Sequence, residues 1–99
     1  MARIRTVKPE FWESQKVGSL SAVARITFMG LISLADDEGR GRGDLRFLLG
    51  RLHPYSPDIG QSELKQALEI INQVALCCFY KRGTEIYYTI PGWKEHQKI

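Results

Sequence analysis

Four polar residues in one stretch have side chains able to read a base edge: Lys65, Gln66, Asn72 and Gln73. Lysine, glutamine and asparagine carry the donors and acceptors that match major-groove base edges, provided a helix holds them outward. The neighbouring residues predict such a helix. Leu64, Ala67, Leu68, Ile71 and Val74 recur at helical spacing and make one apolar face, while Glu63, Lys65, Gln66, Glu69, Asn72 and Gln73 fall on the other. Ser62 is the N-cap this reading expects. Lys65 and Gln66 lie early in the helix, where a recognition helix meets the bases; Asn72 and Gln73 lie late and are weaker candidates. Glu63 and Glu69 would repel phosphates, so a solvated or partner-facing surface stands beside the base-reading one.

The cations best placed to hold phosphates lie elsewhere. Arg3, Arg5 and Lys8 interleave with apolar residues over residues 1–8, a basic arm or N-terminal edge strand, and Lys81 and Arg82 open a turn signal, Lys81-Arg82-Gly83-Thr84. Basic groups on an arm and a hairpin tip can straddle a helix inserted in a groove; ordinary surface solubility is the alternative. Gly39-Arg40-Gly41-Arg42-Gly43 has no following Lys-Ser/Thr and no preceding strand, so it reads as a loop or short strand with two cations rather than a nucleotide cradle.

Catalytic and metal chemistry find little support. Asp36-Asp37-Glu38 reads as a turn at a helix C-terminus, with Arg40, Arg42 or Arg25 expected to compensate carboxylates that oppose the helix dipole. His53 and His96 lie in different segments, and Cys77 and Cys78 are adjacent, so no zinc spacing exists. No serine, cysteine or threonine sits in a nucleophile motif. We therefore expect no enzyme, cofactor or metal. Phe11, Trp12, Tyr55 and Trp93 flank proline turns and are expected as packing anchors rather than base-stacking platforms.

The elements that must position these residues follow from periodicity and capping. Pro9 with Glu10, Phe11 and Trp12 predicts one helical turn. Ser21 caps a central helix over residues 22–35, dense in apolar residues (Val23, Ile26, Phe28, Met29, Leu31, Ile32 and Leu34). Asp44 caps a second helix with Leu45, Leu48, Leu49 and Leu52 at helical spacing. After the third helix, Leu76 to Tyr80 and Glu85 to Ile90 read as two strands joined by the residue 81–84 turn. Three helices followed by a two-stranded wing is the order of an α+β, mainly α, winged helix-turn-helix. The domain is expected to span 1–99, with 93–99 beginning a linker to a missing C-terminal region.

Bulk properties agree with this reading without demanding it. The 99 residues carry a formal net charge of +3, with 43% hydrophobic and 25% charged residues, which suits one folded domain and is compatible with a polyanionic partner. Adjacent cysteines in a strand point to opposite faces and resemble reduced intracellular thiols. With no apolar run of membrane-spanning length and no signal-peptide pattern, a soluble cytoplasmic protein is expected.

Four segments also carry a resemblance. Residues 4–12 (Ile4-Arg5-Thr6-Val7-Lys8-Pro9-Glu10-Phe11-Trp12), Ala35-Asp36-Asp37-Glu38-Gly39-Arg40, His53-Pro54-Tyr55, and Ile90-Pro91-Gly92-Trp93-Lys94-Glu95-His96-Gln97 resemble, in order and across the chain, phage replication proteins of the replisome-organiser type. These are related in architecture to primosomal DnaD N-terminal domains. The resemblance implies a winged-helix domain of a replication initiation protein acting on double-stranded DNA, with replication proteins engaged through a C-terminal part. It equally admits a self-assembly module that forms homodimers, and the fold alone admits a transcriptional regulator.

Overall fold

The spacing of apolar residues from Ala22 to Leu34 produces the helix around which the chain is built. A computed structural model describes residues 4–97. In it this helix, α3 (Ala22–Leu34), begins at Ser21, whose side chain accepts a hydrogen bond from Ala24 N. Two one-turn helices precede it, α1 (Glu10–Glu13) and α2 (Gln15–Gly18). Then follow strand β1 (Arg40–Arg42), α4 (Leu45–Leu52), α5 (Gln61–Gln73), strands β2 (Cys78–Arg82) and β3 (Glu85–Thr89), and a last turn of helix, α6 (Trp93–His96). The described residues thus form an α+β fold of six helices and one three-stranded antiparallel sheet.

The core lies where α3, α5 and the inner face of the sheet meet. Ala24, Thr27, Leu31, Leu48, Leu64, Ile71, Cys77 and Tyr88 are fully buried. Burying leucine and isoleucine side chains here contributes about 1.5–3 kcal/mol each. Tyr88 carries its own polar tip into this interior, and its hydroxyl donates to Leu31 O at 2.6 Å. Ile26, counted in the apolar set of α3, is exposed instead, on the side of the helix that faces away from its packing partners.

The sheet order is β1-β3-β2, with Arg42 opposite Tyr87 on one side of β3 and Tyr80 opposite Tyr87 on the other. Successive side chains alternate across the sheet. Gly41, Phe79, Ile86 and Tyr88 therefore turn inward, where Gly41 leaves room for the Tyr88 ring. The hairpin turn is the two residues Gly83 and Thr84, with Gly83 at φ +64°, the left-handed conformation glycine takes without steric cost.

Several local expectations shift. Gly60, rather than Ser62, precedes α5, and the Glu63 side chain accepts from Gly60 N at 2.8 Å, half of a capping box. Residues 4–8 form no strand. The two edges of the sheet are β1 and β2, so the N-terminal edge strand is absent among the described residues. Residues 93–97 belong to the body rather than to a linker: Trp93 is buried, its indole Nε1 donates to Asp37 O at 3.0 Å, and its ring lies against Gly39. Gly39 serves this contact twice, since it adopts φ +77° and a Cβ there would collide with the indole.

Candidate nucleic-acid interface

The outward face of α5 keeps most of the residues that could read bases. Lys65, Gln66 and Gln73 are exposed, whereas Leu64, Ala67, Leu68 and Ile71 hold the helix to the core. Asn72 has a different employment: its Oδ1 accepts from Phe79 N at 3.0 Å and ties the end of α5 to the start of β2. The shared oxygen makes this exposed amide a joint between the two elements as well. Glu63 is likewise partly spent on its own helix start.

The hairpin displays Lys81 and Arg82, both exposed, on the last two residues of β2. Lys81 pairs with Ile86 and Arg82 with Glu85 across the hairpin. Alternation sends Arg82 to the outer face of the sheet and Lys81 to the other.

The N-terminal segment is not a free arm. The Arg5 side chain is only 8% exposed. Its Nη2 donates to Ala35 O at 2.9 Å and approaches Asp37 Oδ1 at 3.4 Å, and its guanidinium lies 5.3 Å from the Trp93 ring centroid. Thr6 is clamped at both backbone atoms, its N–H donating to Gln97 Oε1 and its carbonyl accepting from Gln97 Nε2, each at 2.8 Å. Lys8 stays exposed with Nζ donating to Glu95 O at 3.2 Å. Arg5 is thus an internal strut and leaves the set of cations available to a phosphate; Arg3 lies outside the described residues.

The acidic turn is also spent internally. Asp36 Oδ1 accepts from Glu38 N and Arg40 N at 2.9 and 3.0 Å, and Arg40 Nε stands 3.5 Å from Oδ2. Burial pushes the Asp36 carboxyl up, but the two backbone donors and the Arg40 charge outweigh it and hold the group below its ordinary value. Glu38 pairs with Lys94 at 3.4 Å. Of the cations expected to offset this turn Arg40 does so, while Arg5 and Lys94 replace Arg25 and Arg42.

Arg42 instead joins a surface that sequence reasoning did not assemble. The outer face of the sheet carries Arg40, Arg42, Tyr80, Arg82 and Tyr87, which together with Asp36 and Gly41 line a groove of about 500 Å³. The Tyr80 and Tyr87 rings lie side by side, centroids 6.0 Å apart and tilted 31°. Arg42 rests 4.2 Å from the Phe47 ring centroid, with Arg51 on the same ring at 5.4 Å. The only local signal for this face was the glycine–arginine alternation of residues 39–43.

The aromatic anchors divide. Phe11 stacks on Phe28 at 5.8 Å and Trp93 is buried. Trp12 and Tyr55 are 57% and 94% exposed, so neither is the packing anchor expected of it. Near Trp12, a larger apolar cleft of about 810 Å³ opens between the N-terminal segment, α3 and α6, floored by Phe11, Val17, Phe28, Ile32 and Trp93. No group of three metal-ligating side chains comes together among the described residues, and no described helix is long and apolar enough to cross a membrane.

No family model, curated protein or solved structure matches this chain.

Proposed function

We propose that this chain is a winged-helix domain that binds double-stranded DNA, in the manner of the N-terminal domain of a phage replication initiation protein. The observation that carries the proposal is the outward face of α5, where Lys65, Gln66 and Gln73 are exposed on a helix whose opposite face is held by the core. The element order supports it: helix, strand, helix, helix and hairpin, with the first strand closing the sheet beside the hairpin's second. Lys65 and Gln66 read base edges, and Lys81 and Arg82 take backbone phosphates. The replication assignment rests on the resemblance of the four segments to replisome-organiser proteins.

Titration of labelled duplexes at several salt concentrations tests this reading. Replacing Lys81 and Arg82 together by alanine weakens binding to all duplexes and lowers the logarithmic salt slope by about two units, close to 0.9 for each lost phosphate contact. Gln66→Ala reduces discrimination between sequences and leaves the slope unchanged, because a neutral amide displaces no counterions. A protein that binds no duplex, or a hairpin variant with the parent's affinity and slope, overturns it.

Self-association is the second reading. Ile4, Val7 and Trp12 are exposed apolar residues of the N-terminal segment, beside the cleft floored by Phe11 and Trp93. Light scattering of the parent and of Trp12→Ala separates the two: a dimer that the substitution converts to monomer assigns this face to a second copy.

A further inference from the structure

We propose that the outer face of the sheet binds single-stranded nucleic acid, with Tyr80 and Tyr87 stacking on unpaired bases and Arg42, Arg40 and Arg82 holding the backbone. This surface is separate from the outward face of α5 and shares only Arg82 with the duplex contacts proposed above, and the inference does not depend on duplex binding there.

Strand register assembles the site. Tyr80 and Tyr87 are directly paired, and Arg42 completes the same rung on the β1 side. The neighbouring outer-face rungs place Arg40 beside Thr89 toward one end and Arg82 beside Glu85 toward the hairpin tip. The paired tyrosines therefore share a rung with Arg42, while Arg40 and Arg82 lie on the flanking rungs, and all five residues line one groove of about 500 Å³.

The balance between charge and ring surface selects the ligand. Asp36 offsets part of the Arg40 charge at 3.5 Å, and Glu85 sits opposite Arg82. Three cations against two carboxylates make a modest attraction for phosphate, too weak to be the whole affinity. What the groove adds is two adjacent tyrosine rings, and a duplex hides its base faces inside the stack. Unpaired bases expose theirs, and stacking on tyrosine tolerates any base because each has a π-face. The occupant that matches both features is a strand with unpaired bases and an anionic backbone.

Fluorescence anisotropy with labelled oligo-dT, and with the same sugar-phosphate backbone lacking bases, tests the inference. The expected result is saturable oligo-dT binding at least about tenfold tighter than binding of the abasic strand. Tyr80→Ala combined with Tyr87→Ala brings oligo-dT down to the abasic level, while phenylalanine at both positions restores it. Arg42→Ala lowers the salt slope by about 0.7, the value for one phosphate contact on a single strand. Should the double alanine variant fail to fold, the comparison of oligo-dT with the abasic strand on the parent protein still decides. Equal affinity for the two strands, or no binding of oligo-dT, overturns the proposal. Lys65→Ala with Gln66→Ala leaves oligo-dT binding intact while weakening duplex binding, so failure of either assignment shows separately.

Discussion

His53 is the residue whose environment most directly converts into a measurable property. It is buried, and its Nε2 lies 2.9 Å from Thr27 Oγ1. The Thr27 hydroxyl also lies 2.8 Å from Val23 O, so ring, hydroxyl and helix carbonyl form one short buried chain. Burial pushes the His53 pKa below its ordinary 6.5. As pH falls through 6.5 the unfolded chain takes up a proton at this ring before the folded protein does. The unfolded state then binds more protons, and stability declines with falling pH. Thermal unfolding should therefore show a falling midpoint below about pH 6.5, and His53→Gln should flatten that part of the profile. The two thiols differ as sharply. Burial pushes the Cys77 thiol up to about 12, whereas Cys78 is exposed. A thiol reagent at neutral pH should modify one cysteine per folded chain and both after denaturation, with Cys78→Ser abolishing the fast reaction.

At the scale of elements, the exit of α5 holds a correctable strain. Its last turn closes in a Schellman pattern, with Leu76 N donating to Ile71 O at 3.2 Å and Ala75 N to Asn72 O at 3.1 Å. This requires the left-handed conformation at Ala75, which has φ +63°. Glycine ordinarily fills that position, and an L-residue with a Cβ costs roughly 1–2 kcal/mol there. Ala75→Gly should raise the unfolding free energy by up to about 1 kcal/mol, the gain being reduced by the added freedom of the unfolded glycine. Chemical denaturation measures it, and an unchanged or lowered midpoint would refute the account. The same junction gives Asn72 a structural task that its place in the helical pattern does not reveal. Its position in the helical pattern marks it as outward-facing, which it is, but the strand that claims its carbonyl oxygen arrives only when β2 docks against the end of α5.

Across the whole molecule, the two ends of the described chain are fastened to each other and to the acidic turn. Thr6 and Gln97 share three hydrogen bonds, Arg5 reaches Ala35 and Asp37, and Trp93 covers Gly39. Trp93 should accordingly behave as a core residue, and Trp93→Ala should cost about 3–5 kcal/mol of stability. Removal of residues 92–99 should lower the thermal midpoint further still, because Gln97 goes with the indole and Thr6 loses its hydrogen bonds to that residue. A truncated chain with the parent's melting temperature would show that this clasp contributes nothing to the fold.

What the sequence determined alone was the part governed by local periodicity. Three helices, the caps at Ser21 and Asp44 and the hairpin were all legible, because each depends on residues a few positions apart. Tertiary structure decided the rest. Arg5 looks like a free cation until Ala35, Asp37 and Trp93 surround it from 30 to 88 positions away. Tyr80, Tyr87 and Arg42 become one surface only through the register of three strands, two of which are separated in sequence by α4 and α5. Register is set by which faces the core buries and by where the hairpin turns, so no reading of β1 by itself could have placed its arginines beside the tyrosines.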